Sequence, residues 1–363
     1  MMETQILTDA ENEDGYMLVT PDYFLDDPGS FCEKSFVRNF AASFLPPIYW
    51  CVFFLGLLGN GLVIIIYVYY RRLKTITDTY LINLAIADLL FLVTLPFWAI
   101  SASHDWIFKT ALCKIVNSMY TINVYSGMML LACISVDRYI AIVQATKAQK
   151  HRTRRIFFSK CICIFVWTLA VILSLPEILY SNVKEDSYSK YYCTMSYPVE
   201  IRKSLKVIAL GLKVTVAFCI PFVIMIFCYS MIIPTLVQAK SFQKHKALKV
   251  IFALLTVFVL SQLPYNSLLI VKAWDASNAT VADCMISKNL DIAYKVTQSI
   301  AFLHCCMNPF IYVFVGVKFR NDLFKILKMF SCISEDQWRK ILKVEKSKAL
   351  SEMLETKTGT LSL

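Results

Sequence analysis

Long apolar stretches broken by short polar ones run along most of the chain. Seven of them reach the length a bilayer demands of a helix that satisfies its own backbone, about 20 predominantly apolar residues. They place spans at 44–70, 79–103, 112–143, 156–179, 203–237, 246–274 and 290–316. The pattern predicts an all-α membrane protein, a seven-transmembrane helix bundle with a short amphipathic eighth helix. Four regions follow: a flexible tail over 1–43, the bundle over 44–316, the amphipathic segment over 317–330 and a regulatory tail over 331–363. In the third region Phe319, Leu323, Phe324, Ile326 and Leu327 alternate with Lys318, Arg320, Lys325 and Lys328, as in a helix lying on a membrane surface. No charged and then apolar leader opens the chain, so the first span is expected to serve as the insertion signal.

Composition agrees with the bilayer as solvent: 57% of the 363 residues are hydrophobic and only 17% charged. The net charge of +11 is unevenly spread. Arg71, Arg72 and Lys74 follow the first span; Lys147, Lys150, Arg152, Arg154 and Arg155 follow the third; Lys240, Lys244, Lys246 and Lys249 follow the fifth. The positive-inside bias makes these loops cytoplasmic. An odd number of spans then puts the N-terminus outside a plasma membrane and the C-terminus inside. Up to Phe31 the chain carries Glu3, Asp9, Glu11, Glu13, Asp14, Asp22, Asp26 and Asp27 and neither Lys nor Arg. The basic loops therefore face membrane lipids and cytosolic partners, and nucleic acid is excluded as a partner.

Most of the 13 cysteines lie within spans, where a small apolar thiol is ordinary. Cys32, Cys113, Cys193 and Cys284 lie on the oxidising side. The expected pairings are Cys113–Cys193 and Cys32–Cys284, although topology alone permits others.

An acid inside the hydrocarbon is costly and marks a functional position. Asp88, in Leu84-Ala85-Ile86-Ala87-Asp88, is the one read as deep. With Asn60, Asn123, His304 and Asn308 it could cage a sodium ion, an allosteric modulator, or belong to a structural hydrogen-bond network. Asp137-Arg138-Tyr139 closes the third span, and Asn308-Pro309-Phe310-Ile311-Tyr312 lies late in the seventh. With Trp167 in the fourth span and Pro221 in the fifth, the pattern resembles the rhodopsin-like G-protein-coupled receptors over nearly the whole chain. That resemblance implies that Asp137 holds Arg138 at rest and that Arg138 swings toward Tyr229 and Tyr312 on activation. The plainer reading of Asp137 and Arg138 is an interfacial ion pair. Pro221, Met128 and Phe258 match the family's packing relay, and Pro264 its sixth-span kink. Gln262, in Ser261-Gln262-Leu263-Pro264, stands where the family carries a Trp, so it could report ligand motion by a hydrogen bond instead.

The outer half resembles the chemokine-receptor branch through Thr94-Leu95-Pro96-Phe97-Trp98, Trp106, Phe108, His304-Cys305-Cys306-Met307-Asn308 and the extra cysteine pair. This resemblance implies a secreted C-C chemokine as ligand, the thymus-expressed one foremost, an inhibitory heterotrimeric G protein, and calcium signalling and T-lymphocyte chemotaxis. Tyr16 and Tyr23, set among acids like sulfation targets, would help the tail capture a basic ligand, unless that tail is only a solvated spacer. Tyr49, Trp98, Trp106, Tyr120, Tyr265, Asp291 and Gln298 are the expected ligand residues, although aromatics at helical spacing are often packing. Lys213, Asp291 and Lys295 are expected to be unpaired. Asn278 heads a glycosylation acceptor, Asn278-Ala279-Thr280. Ser347, Ser351, Thr356, Thr358, Thr360 and Ser362 are candidate substrates for receptor kinases and docking points for arrestin, and Cys332 is a palmitoylation site or a free thiol.

An atypical scavenger of the same fold would have the Asp137-Arg138-Tyr139-Ile140-Ala141-Ile142 segment altered. A transporter would show broken half-helices or a row of buried charges. An enzyme would need a nucleophile with its base or paired acids, and none is visible.

Overall fold

A computed structural model of the protein describes residues 32–71, 75–144, 152–185, 190–238, 243–278, 283–315, 322–326 and 328. Among these, six helical stretches are long and apolar enough to cross a membrane: Ser35–Tyr69, Ile76–Ser103, Thr110–Val143, Thr153–Tyr180, Val199–Gln238 and Leu255–Ala276. The seventh span is the helix Cys284–Val315, long enough but more polar, since it carries Asp291, Lys295, Gln298, His304 and Asn308. The first span packs on the second and the seventh, the third on the second, fourth and fifth, and the sixth on the fifth and seventh. Phe54, Leu58, Ile164, Phe165, Val223 and Val237 stay exposed on the outside of this ring, as residues that meet lipid do.

Local chemistry sets the ends and bends. Thr75 caps the second span by accepting from the Asp78 N–H at 3.1 Å while Asp78 Oδ2 accepts from the Thr75 N–H at 2.9 Å, a reciprocal capping box. Pro96 interrupts that span's backbone ladder, so it continues as Leu95–Ser103, with Thr94 Oγ1 donating to the Phe91 carbonyl at 2.6 Å. Pro221 has no N–H to offer the fifth span, and just before it the helix widens over Thr215–Cys219, where the Ile220 N–H bonds to the Thr215 carbonyl.

The helices overrun the apolar stretches. The first begins at Ser35 rather than 44, so residues 35–43, expected in the flexible tail, are helical. The sixth runs Gln243–Asn278 and the seventh starts at Cys284 rather than 290. Hydropathy marks the lipid slab, whereas a helix can continue beyond it on its own hydrogen bonds. Between the fourth and fifth spans the chain forms an antiparallel hairpin that the sequence reading lacks, β1 (Ser181–Glu185) on β2 (Tyr191–Met195), with Val183 opposite Cys193. Both expected disulfides are present: Cys113–Cys193 fastens β2 to the third span, and Cys32–Cys284 fastens the start of the first helix to that of the seventh. Of the amphipathic segment, 322–326 is helical, with Ile326 buried in the core and Lys325 exposed.

Candidate functional site

A chamber inside the bundle, lined by Tyr120, Lys213 and Tyr265 in the half that carries the two disulfides, reaches Asp88 at its floor. Its wall includes Tyr120, Lys213, Gln262, Tyr265, Asn266 and Phe302. Helical spacing explains the aromatic wall: Phe91 and Tyr120 reach Phe302 from the second and third spans, with ring centroids at 4.8 and 5.4 Å. The Tyr120 hydroxyl lies 2.8 Å from that of Tyr265, which lies 3.3 Å from that of Tyr294, and Gln298 Nε2 donates to the Tyr294 oxygen at 3.3 Å. Of the expected ligand residues, Tyr120 and Tyr265 line the chamber. Tyr49 is buried against Phe302 at 5.7 Å, and Trp98 packs with it in the adjacent cluster.

Three expectations need correction. Trp106 packs on Trp98 and Phe108 beside the Cys113–Cys193 disulfide, because the hairpin covers it through a bond from its N–H to the Tyr191 carbonyl at 2.7 Å. Asp291 is not unpaired: Lys34 Nζ lies 2.5 Å from one of its oxygens and Lys272 Nζ 3.0 Å from the other. Nor is Lys213, whose Nζ is 2.8 Å from Glu177 Oε1. Burial explains both, since a charge withdrawn from water is retained only when paired. Asp291 thus joins the first, sixth and seventh spans just inside the Cys32–Cys284 disulfide. Lys272 Nζ also sits 4.1 Å from the centroid of the Tyr294 ring, within cation–π range. Lys295 is half-buried and forms no ion pair among the described residues.

At the floor, Asn123 Nδ2 donates to Asp88 Oδ1 at 3.0 Å and Asn308 Nδ2 to Asp88 Oδ2 at 3.2 Å. Asn308 Oδ1 is buried without a partner among the described residues, so it and the carboxylate offer the oxygen donors that a hard cation takes. Asn60 instead joins the first and seventh spans by donating to the Gly56 and Cys305 carbonyls at 3.1 and 3.0 Å. His304 lies edge-on to Phe258 at 6.2 Å, and Phe258 stacks near Phe218 and Phe222. Gln262 is buried, and its Nε2 donates to the Ala301 carbonyl at 3.4 Å, so the residue in the Trp position ties the sixth span to the seventh.

At the inner end Asp137 serves three donors. Thr77 Oγ1 approaches Oδ2 at 2.5 Å, Arg138 Nη2 lies 3.5 Å from the same oxygen and also contacts Thr77 Oγ1, and Arg155 Nη2 lies 3.0 Å from Oδ1. Tyr229, buried nearby on the fifth span, accepts from Ser135 Oγ at 3.1 Å and not from Arg138. Arg138 is therefore in its held position.

The arrangement is an outer chamber, a polar floor, Pro221 and Pro264 breaking the ladders around it, and a restrained arginine at the far end. The model of the 7 transmembrane receptor (rhodopsin family) matches residues 59–312. The chain is 56% identical to C-C chemokine receptor type 9 of Mus musculus over 95% of its length and 94% of that protein's. It is 55% identical to the Homo sapiens type 9 receptor over 92% and 90%, and 47% identical to C-C chemokine receptor type 7 of Homo sapiens over 94% and 89%. The chain belongs to the C-C chemokine receptors of the rhodopsin family. It is a multi-pass plasma-membrane receptor.

Glu177, Lys34, Lys272, Arg155 and Thr77 escape the sequence reading. Glu177 lies at the end of the fourth span, where the depth rule that selects Asp88 does not single it out. The partners of Asp291 were not within reach, because the sequence does not say which lysines, here Lys34 at 257 positions and Lys272 at 19, meet it in space. Tyr16, Tyr23, the side chains of Asn278 and Tyr312, Cys332, Ser347, Ser351, Thr356, Thr358, Thr360 and Ser362 lie outside the described residues.

Proposed function

We propose that this receptor binds a secreted C-C chemokine, the thymus-expressed one foremost, and activates an inhibitory heterotrimeric G protein, driving calcium signalling and T-lymphocyte chemotaxis. The N-terminus faces outward and captures the basic ligand through its acidic tail. The ligand's leading segment then enters the chamber, and arrestin and receptor kinases act on the cytoplasmic tail. The observation that carries this reading is Arg138, held by Asp137 and Thr77 at the end of the bundle opposite the chamber. Release of a single restrained arginine is how ligand entry at one end can alter a protein-binding face at the other. The residues at the floor fit a sodium ion, which would favour the held state; Asp88 and the Asn308 oxygen would hold it.

The test is suppression of cyclic AMP in cells expressing the receptor, across a panel of C-C chemokines, with Arg138→Ala as control. Suppression by one ligand that disappears in the variant is the expected result. Uptake of ligand without suppression would overturn it in favour of a scavenger.

A further inference from the structure

Two charged groups line the chamber, Asp88 at its floor and Lys213 in its outer half. Two buried acids toward its outer half are engaged by lysines, Glu177 by Lys213 and Asp291 by Lys34 and Lys272, and Asp275 is buried in the sixth span outside the chamber wall. The second oxygen of Glu177 is buried without a hydrogen-bond partner among the described residues, but Glu177 is not part of the chamber wall. Gln298 is neutral. A ligand ammonium held in this outer half, short of Asp88, would have to compete with a lysine for a buried acid. A carboxylate meets the reverse situation. Lys213 is part of the wall, gives one of its three N–H groups to Glu177, and stands 5.8 Å over the ring of Tyr120. The hydroxyls of Tyr120 and Tyr265, 2.8 Å apart, share that wall.

We infer that the ligand segment entering the chamber presents a carboxylate side chain to Lys213 and the Tyr120–Tyr265 hydroxyls, and does not anchor its terminal ammonium on a receptor acid. The inference rests on the chemokine-receptor reading and adds a selection rule to it. An acidic outer tail favours a basic ligand body, while a lysine-bearing chamber favours an acidic tip. A ligand that is basic throughout is rejected by the second element.

The experiment uses the full-length receptor in cells, with surface amount followed by antibody and cyclic AMP suppression as readout. The probes are whichever C-C chemokine activates it, the same chemokine with the acidic residues of its leading segment changed to their amides, and its N-acetylated form. The receptors are the unaltered chain, Lys213→Gln, and the double variant Lys213→Gln with Glu177→Gln, which removes the ion pair as a whole if the single variant fails to reach the surface. The amide form should lose potency about tenfold or more on the unaltered receptor and less than about threefold on the Lys213 variant that is displayed, while acetylation costs less than about threefold. An equal loss on both receptors, a decisive loss on acetylation, or an active chemokine without an acid in its leading segment would each overturn the inference. If no C-C chemokine activates a receptor displayed at the surface, the chemokine reading itself fails and takes the inference with it.

Discussion

Asp137 sits where three donors meet, and that sharing decides how firmly the inner face is held. Arg138 is the more distant of its two arginines and is 45% exposed, so the bond that must break on activation is the weaker one. Asp137→Asn should raise basal suppression of cyclic AMP by about two- to fivefold, the scale of ion pairs whose arginines keep contact with water, read without ligand at matched surface amounts. At the chamber floor, Asp88→Asn removes the charge a cation needs. Agonist binding to membranes should weaken with added sodium, relative to an organic cation at equal ionic strength, in the unaltered receptor and not in the variant. Asp291 is another kind of residue. It is fully buried between two buried lysines, and Asp291→Asn removes the carboxylate they share, at a cost of about 3–5 kcal/mol that lowers Tm in detergent. Adding Lys34→Met and Lys272→Met to that variant should restore much of the loss. Asp88, Asp137 and Arg138 were legible because each lies in a short motif at a fixed depth of its span. Asp291 was misread because its partners come from two other helices, Lys34 at 257 positions and Lys272 at 19, so its identity was visible and its neutralisation was not.

At the level of elements, close approach of the first and seventh spans depends on the absence of a side chain. A Cβ on Gly59 would lie 3.0 Å from Cβ and Cγ of Pro309, whose ring cannot rotate away. Small residues permit such contacts between membrane helices, where packing rather than the hydrophobic effect holds them together. Gly59→Val should cost about 1–3 kcal/mol, seen as a lower Tm of purified receptor. An unchanged Tm would show that the two spans part without penalty. The spans were legible because hydropathy reports the slab, and their ends were less so because Ser35 and Cys284 begin helices that rise beyond it. The hairpin was hidden for another reason: Ser181–Glu185 and Tyr191–Met195 are only five residues each, and the Cys113–Cys193 link and register with a partner strand hold them.

The molecule as a whole joins a chamber at one end to Asp137 and Arg138 at the other through spans whose ladders are broken at Pro221, Pro264 and Pro309. Tyr265, one residue after Pro264, lines the chamber, and Gln262, two before it, bonds to the seventh span, so a ligand at the wall bears directly on the kinked turn. The general receptor architecture was readable from spans and motifs; the chamber's charge was not, because it depends on which lysine meets which acid. The most direct test is nucleotide exchange on a purified inhibitory G protein, with the receptor in lipid nanodiscs and the thymus-expressed C-C chemokine added. The account predicts that the chemokine accelerates exchange and that Arg138→Ala abolishes the acceleration. Saturable chemokine binding with no change in exchange on a folded, unaltered receptor would contradict it.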